Sequence, residues 1–337
     1  MTRDQTDKSG TEETIVLSIV VPVYNRAELV GRCLTSCLQS DDPRYELVLI
    51  DDASTDATYD VLMSYAGKHV RIFRQDINGG VSAARQRGVE AAWGHWIAFV
   101  DSDDTLMPGA IDALLNAIAD APETIDALYH RERHSYGAIS PVIVPKYGEI
   151  DYADYIAMMN ANLHTDREIF QCMRASALKQ VPWPLNRAPE TEFHLAFMKR
   201  FRILMCPDIL YFHYHDAPTR LSLSPVHADP KSLSEQHRLE SLERIVETHG
   251  DGLRAYGPEW WRHMIANLLS LEFIFGRREA AFRLFRLGWV NGGDRIQLFV
   301  ILLIGLMGPK IMARLRFIFK IIRHFMMQRG SVSLLRK

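Results

Sequence analysis

The sequence predicts an open α/β sheet, mostly parallel, with helices on both faces and a helical extension behind it. Three observations carry the prediction. Apolar runs of strand length alternate with helical periodicities from Leu17 to Asp104, the pattern of successive βαβ units. The runs are continuously apolar rather than alternating, as in strands buried on both faces. Three of them end in polar residues, Tyr24-Asn25, Asp51-Asp52 and Asp101-Ser102-Asp103, and the carboxyl edge is where open α/β sheets bind ligands.

The elements follow in order. Leu17 to Val23 reads as the first strand, and Asn25, with Glu28 three residues on, as the N-cap of the helix behind it. That helix carries Leu29, Val30, Cys33, Leu34, Cys37 and Leu38 as one apolar stripe. Glu46 to Ile50 is the second strand, 56–65 the second helix and Val70 to Phe73 the third strand. Asn78-Gly79-Gly80 makes a turn, a helix runs over 81–92, and the next strand ends at Asp101. The segments 233–250 and 259–288, rich in Leu, Arg and Glu, read as helices.

The chain of 337 residues suits one large domain or two smaller ones. Its 47% hydrophobic and 24% charged residues are ordinary for a globular protein. A net charge of −2 gives no reason to expect nucleic acid as a partner. That average hides an asymmetry, because Arg295 to Lys337 contains Lys and Arg but no Asp or Glu. The four cysteines, Cys33, Cys37, Cys172 and Cys206, have no zinc-ligand spacing. With no signal peptide at the start, a reducing cytoplasm is the expected setting. Residues 1–14 are polar, without apolar period, and are expected to be disordered.

Residues 96–104, Trp-Ile-Ala-Phe-Val-Asp-Ser-Asp-Asp, are the most informative stretch. Carboxylates crowded at the end of a buried strand repel one another and become tolerable around a hard divalent cation. The plainer alternative is that they complement the helix that follows Pro108. An EF-hand fits poorly, since Leu106 stands where that loop needs Gly and no Glu follows at its end. No Gly-x-Gly-x-x-Gly follows the first strand, where Pro22-Val-Tyr-Asn-Arg26 stands instead, and no Walker-type loop is present.

Four motifs stand in order: Ser-Ile-Val-Val-Pro-Val-Tyr-Asn (18–25), Leu-Ile-Asp-Asp-Ala-Ser-Thr-Asp (49–56), Asn-Gly-Gly-Val-Ser-Ala-Ala-Arg (78–85) and Phe-Val-Asp-Ser-Asp-Asp (99–104). Together they resemble the family 2 glycosyltransferases, which have the GT-A fold, a Rossmann-like α/β sheet. The likeness is close to about residue 105 and looser to about residue 225. It implies that Pro22, Val23, Tyr24 and Asn25 lie along a nucleotide and that Asp52 meets the uracil edge. A carboxylate accepts the ring N–H of uracil, where cytosine has none. Asn78, Gly79 and Gly80 let backbone approach the donor, and Arg85 meets the diphosphate or the acidic motif. Asp103 is implied as a direct metal ligand, with Asp101 toward the ribose or the metal's waters and Ser102 on the nucleotide-sugar. The cofactor so implied is Mn²⁺ or Mg²⁺.

The family inverts the anomeric centre, so one carboxylate must take the acceptor's proton. Relatives carry it in an acidic motif with an aromatic close behind. Here that stretch is Ala188-Pro-Glu-Thr-Glu-Phe-His194, which leaves Glu190 and Glu192 as candidates because Thr191 departs from the usual pattern. The plainer role for both is to complement a helix N-terminus. Downstream, His213 and His215 alternate with aromatics ahead of Ser222-Leu-Ser224, and this resembles the segment that closes over the donor. His215 is the preferred metal or phosphate contact of the two. Arg174 resembles a position that lines the sugar or acceptor pocket.

Behind the transferase domain, expected over 15–225, come a helical extension (226–294) and a basic, apolar tail (295–337). Ile296 to Met307 is too short to span a bilayer. The charges at 310, 314, 316, 320 and 323 recur near the helical period among bulky apolar residues, the pattern of a helix lying in an anionic membrane interface. A buried or dimer-interface hairpin, or a re-entrant one, is the alternative.

The reading is thus an inverting, metal-dependent glycosyltransferase. It moves a sugar from a nucleotide diphosphate donor, most simply a UDP-sugar, to a glycan or lipid-linked hydroxyl in cell-surface polysaccharide or glycolipid synthesis. Its expected place is the cytoplasmic face of the plasma membrane. The alternative is a non-catalytic nucleotide-sugar or glycan-binding module, which the Thr191 departure motivates. A nucleotidyltransferase would want a Gly-rich triphosphate loop after strand one, and none stands there.

Overall fold

The computed structural model describes residues 14–181, 183, 190–216 and 232–316. The expectation for the N-terminus falls almost wholly outside them, as do Ser222-Leu-Ser224 and the tail from residue 317. The elements run β1 (Leu17–Val23), α1 (Val30–Cys37), β2 (Tyr45–Asp51), α2 (Thr58–Met63), β3 (Val70–Arg74), α3 (Val81–Ala91), β4 (Trp96–Phe99), β5 (Thr105–Leu106), α4 (Ala110–Asp120) and β6 (Ala127–His134). There follow β7 (Ile139–Ser140), β8 (Gly148–Ile150), α5 (Tyr152–Ala161), β9 (Phe170–Arg174), α6 (Ala175–Leu178), α7 (Thr191–Arg200) and β10 (Ile203–His213). The chain then turns helical: α8 (Leu233–Tyr256), α9 (Pro258–Ile274), α10 (Arg278–Val290) and α11 (Arg295–Leu306). Residues 1–139, 168–182 and 201–215 make one compact unit, and 140–167, 183–200 and 216–337 a second.

The first unit is built on a sheet in the order β3-β2-β1-β4-β9-β6-β10-β5. Strands β3, β2, β1 and β4 are parallel, with Leu17 opposite Tyr45 on one side and Trp96 on the other. Parallel strands need crossovers, which α1, α2 and α3 supply. β9 then enters antiparallel between β4 and β6, β10 returns parallel to β6, and β5 pairs antiparallel with β10. Every residue of β1 and β2 is buried, which explains why these runs are apolar without alternation. The core joins Ile19, Val21, Leu47 and Leu49 to Cys33, Leu34 and Cys37 of α1 and to Ile111, Leu114 and Leu115 of α4. Cys33 and Cys37 are thus small core residues, and a hydrogen bond from Cys37, with burial added, raises the Cys33 thiol well above its usual range.

A polar clasp closes the amino edge of this sheet. Glu46, at the start of β2, is buried. Its Oε1 accepts from Ser18 Oγ and from the Trp93 backbone N–H, both at 2.6 Å, and its Oε2 from Arg71 Nη1 at 2.9 Å. Gly94 donates its N–H to Ser18 Oγ at 2.9 Å, and a Cβ there would stand 2.5 Å from the Ser18 backbone nitrogen. The turn into β4 therefore closes on β1 only with glycine.

Two element readings are corrected. Asn25 does not cap α1, whose N-cap position is Leu29 with no side-chain bond. Asn25 instead takes φ +49°, which Asn tolerates better than most residues. Its Oδ1 accepts from the Thr55 N–H at 2.8 Å. The segment 259–288 is two helices, α9 and α10, because Gly276 at φ +77° ends the first.

In the second unit α8 packs against α9, and α9 in turn against α10 and α11. Gly288 and Gly305 allow the last two helices to approach closely. A Cβ at Gly305 would stand 2.4 Å from the Phe273 ring, and one at Gly288 2.7 Å from Ile265. Among the described residues no helix is long and apolar enough to cross a membrane.

Candidate active site

The carboxyl ends of β1, β2 and β4 and the far ends of β6 and β10 bring the predicted polar residues together in the first unit. The β1 and β2 loops are tied first. The Asn25 N–H donates to Ser54 Oγ at 3.0 Å, and the Arg26 N–H to Thr58 Oγ1 at 2.7 Å. Asp51 is fully buried, takes the Ser54 N–H at 3.3 Å and pairs with Arg74 Nε at 3.2 Å. Asp51, Ser54 and Thr58 are therefore scaffold for the loops.

Asp52 holds the glycine turn. Its Oδ1 accepts from the Gly79 N–H at 2.8 Å and Gln75 Nε2 at 2.6 Å, and its Oδ2 from the Gly80 N–H at 2.8 Å. Asn78 Nδ2 donates to the Asp52 carbonyl at 3.2 Å. Both carboxylate oxygens are engaged, so a nucleobase N–H would share an oxygen with these donors. Gly80 stands at φ +85° directly ahead of α3, a position that favours glycine. Val23 lies in the apolar core and Pro22 is buried, so neither side chain is open to a ligand. Tyr24 is 42% exposed and offers its ring.

The Asp101–Asp104 loop sorts its carboxylates by environment. Asp101 remains 43% exposed and accepts from Arg85 Nη2 at 2.8 Å. Arg85 is itself buried and projects from α3. Asp103 Oδ2 is 3.8 Å from Arg26 Nη2, and its carbonyl accepts from the Arg32 guanidinium. Arg32 in turn stacks over the Tyr214 ring at 3.8 Å. Ser102 is buried. Asp104 is buried too: its Oδ2 accepts from Tyr211 Oη at 2.8 Å and its Oδ1 from the Tyr214 N–H at 2.7 Å. Burial, with the Asp101 charge added, raises Asp104 to about 8 despite these bonds. Tyr211 Oη also accepts the Asp101 N–H at 3.1 Å, which locks β10 to the loop.

Asp101 and Asp103 fit a hard divalent cation: they are oxygen donors, both partly open to solvent, two positions apart on a braced loop. Arg26, Arg32 and Arg85 surround them with the positive charge that suits a phosphate-bearing ligand. His215 lies beside His134 and His213, with His215 Nε2 3.0 Å from His134 Nδ1. Sequence reasoning passed over His134 and Glu132. Both sit in β6, whose Tyr-His-Arg-Glu-Arg-His run carries no motif, and only its pairing with β10 sets them beside His213.

In the second unit Glu192 is held fast. Arg244 grips it through Nε at 2.6 Å and Nη2 at 2.9 Å, and Ser241 Oγ donates at 2.9 Å. Burial pushes this carboxyl up, but the bonds from Arg244 and Ser241 outweigh it and hold it below the usual carboxylate range. Glu190, just ahead of α7, is 38% exposed and 3.9 Å from His194. Arg174 donates Nε to the Ile125 carbonyl at 2.6 Å and covers the Trp96 ring, a structural setting.

Comparison with known proteins decides the family. Residues 18–180 match the family described as glycosyl transferase family 2. These residues are a family 2 glycosyltransferase domain. The glycosyltransferase YibD of Escherichia coli (strain K12) is 37% identical over 101 residues, 29% of each chain. The poly(ribitol-phosphate) beta-glucosyltransferase of Bacillus spizizenii is 41% identical over 93 residues, 26% of this chain and 15% of that one. The succinoglycan biosynthesis protein ExoO of Rhizobium meliloti is 37% identical over 99 residues, 29% of this chain and 28% of that one. The likeness thus spans a third or less of these relatives' length. Among solved structures, S. aureus TarS 1-349 in complex with UDP-GlcNAc superposes with a TM-score of 0.53 at 19% identity, over 76% of this chain and 81% of that one. This likeness shows a shared GT-A fold.

Proposed function

We propose that the protein is an inverting glycosyltransferase that moves a sugar from a UDP-sugar to a hydroxyl of a growing surface glycan. The observation that carries this reading is the convergence of the Asp101–Asp103 carboxylates, three arginines and an Asp52-braced glycine turn at one sheet edge. The TarS complex with UDP-GlcNAc supports the donor class. The relatives named for succinoglycan and poly(ribitol-phosphate) support a polymeric glycan acceptor.

In this reading Tyr24 packs on the base, and the Gly79-Gly80 backbone lies along the donor. Asp52 keeps that turn in place, and Arg85 orients Asp101. Asp101 and Asp103 would hold a divalent cation, which would supply positive charge at the departing diphosphate. Asn25 and Ser102 contribute by shaping their loops. Glu190 takes the acceptor's proton. Glu192 is unsuited to that task, because a carboxylate stabilised by a guanidinium and a hydroxyl is a weak base.

The donor site is tested by thermal unfolding with UDP, GDP, dTDP and CDP, each with Mn²⁺ and with EDTA. Ligand at a hundred times its Kd adds about 2.7 kcal/mol to native stability, so a metal-dependent rise with UDP is expected. No rise with any nucleotide on folded protein would remove the donor assignment. Binding of UDP-sugar without turnover on any glycan acceptor would favour the non-catalytic module.

The two glutamates separate cleanly. Glu190→Gln is expected to lower kcat about 10²–10⁴-fold, the scale of general-base loss, with unfolding unchanged. Glu192→Gln is expected to act on stability. Its folded pKa lies below the unfolded value, so its contribution is present above about pH 4.3 and is lost as pH falls through the folded pKa. The variant should therefore be less stable than wild type at pH 7, and the difference should shrink toward pH 3. Equal turnover losses in the two would sink the assignment.

The same reading places the protein at the cytoplasmic face of the membrane, on a lipid-linked acceptor. Its support is the outer face of α11, where Ile296, Phe299, Val300, Leu303, Leu306 and Met307 recur at helical spacing with exposures from 46% to 80%. Trp289 and Val290 of α10 are also exposed, and nine Lys or Arg with no acid follow from Arg295 onward. Exposed apolar bulk in a segment whose sequence is cationic suits an anionic bilayer surface. Sedimentation with phosphatidylglycerol vesicles, but not phosphatidylcholine vesicles, is the expected result, with Phe299→Glu plus Leu303→Glu releasing the protein. A wild type that ignores both vesicles, or a concentration-dependent dimer abolished by the same pair, would contradict it.

A further inference from the structure

We propose that the groove between α7 and α8, inside the second unit, is an anion site that takes the phosphate group of a soluble organic phosphate. It uses none of the donor residues and needs no assumption about the sugar donor.

Two helix stripes make the groove. Glu192, Ala196, Lys199 and Arg200 recur on α7 at spacings of three, four and one, so they share one face. Arg244 and His249 of α8 line the opposite wall. The groove holds about 390 Å³, within the ordinary range of small-ligand sites. Three cations face one carboxylate there, a surplus of two positive charges. The carboxylate is already neutralised, because Arg244 Nε and Nη2 and Ser241 Oγ engage both Glu192 oxygens. Arg244 keeps its Nη1 hydrogens in reserve. Lys199 is exposed, and its Nζ donates only to the Thr248 carbonyl, at 3.3 Å. Among the described residues no carboxylate lies within ion-pair distance of it.

The His249 wall is a second observation that points to a ligand. His249 is more than nine-tenths buried, and Tyr152 Oη of α5 stands 2.8 Å from its Nδ1. Gly252 allows that approach, since a Cβ there would be 2.6 Å from the Tyr152 ring. Burial pushes the Tyr152 hydroxyl up to about 12, so it keeps its proton. Burial, with the Lys199 charge added, lowers His249 to about 4, so the ring is neutral at pH 7. With the Tyr152 hydroxyl donating to Nδ1, the imidazole proton stands on Nε2 and is left for a ligand. An ammonium, a guanidinium and a neutral N–H around the small side chain of Ala196 suit a phosphate dianion with a short carbon skeleton. A carboxylate has one charge and two oxygens, and would leave donors unspent.

The test is isothermal titration of the full chain with glycerol 3-phosphate and with inorganic phosphate. It is run in EDTA, without nucleotide, at about 0.15 M salt, where exposed charges are already screened. Wild type is expected to bind one equivalent of glycerol 3-phosphate, and more tightly than inorganic phosphate. Equal affinities would reassign the groove to inorganic phosphate. Lys199→Met keeps the stem and removes the charge, and should weaken binding about 10–100-fold, the scale of one hydrogen bond to a charged group. Ala196→Leu fills the groove without a change of charge and should weaken binding as well, which a merely diffuse positive surface would not show. Asp103→Asn should bind as wild type does. Lys199 and Arg200 also stand in the last turn of α7, where cations complement the helix end. If that is their whole role, Lys199→Met lowers the unfolding midpoint and leaves phosphate binding intact, and the proposal falls. It falls too if wild type binds neither probe, or if Asp103→Asn loses the binding, which would put the anion at the sheet edge. None of these outcomes bears on the metal-dependent shift with UDP, so this failure and failure of the donor reading are distinguishable.

Discussion

Asp103→Asn is expected to abolish the metal-dependent rise in unfolding temperature with UDP and to lower turnover by at least about 10²–10³-fold, the scale of losing one transition-state charge stabiliser. The substitution keeps the volume and removes the charge. It leaves the Asp103 carbonyl, on which the Arg32 guanidinium rests, so the loop should stay in place and stability without ligand should hold. The contrast with Asp104 sharpens the result. Asp104 is buried and bonded to Tyr211 and Tyr214, so Asp104→Ala should cost stability before it costs binding. If Asp103→Asn still showed the full UDP and Mn²⁺ shift, the oxygen site would lie elsewhere and the central assignment would fail.

Glu46→Ala is expected to destabilise the first unit by about 3–5 kcal/mol, the cost of breaking a buried ion pair by removing one partner. The loss strands Arg71 and leaves the Ser18 hydroxyl and the Trp93 N–H without the acceptor they now share. At about 2–4 °C per kcal/mol for a domain of this size, the unfolding midpoint should fall by about 10 °C. Turnover at low temperature should survive, because the clasp joins the amino ends of β1, β2 and β3 and the catalytic candidates lie at the carboxyl ends. Arg71→Met, at a less buried partner, should cost less. A Glu46→Ala midpoint within a few degrees of wild type would show that the clasp contributes little.

These two results probe opposite edges of one sheet, and the edges differ in how readable they were. The carboxyl edge was legible because strand-length apolar runs stop abruptly in polar residues, and a parallel sheet puts those stops on one side. Asp101 and Asp103 could be named from the strand end, and Asp52, Gly79 and Gly80 from the family resemblance of the motifs around them. The amino edge was not legible, since Ser18, Glu46, Arg71 and Gly94 lie far apart in sequence and each looks like an ordinary residue there. The Asn25 reading failed for a related reason: the capping pattern with Glu28 is local, but the chain spends Asn25 on Thr55 across the loop.

The sequence by itself determined the strand order of residue types, the family and the chemistry available at the sheet edge, because hydrophobic runs and motif spacing are properties of the chain. Tertiary structure decided which of those groups are spoken for. Only folding puts Arg244 on Glu192 and so holds that carboxyl below the usual carboxylate range. Only the pairing of β6 with β10 sets His134 and Glu132 beside His213 and His215. Burial and charge neighbours control protonation and ligand affinity, and both arise from contacts between segments that the linear order does not record.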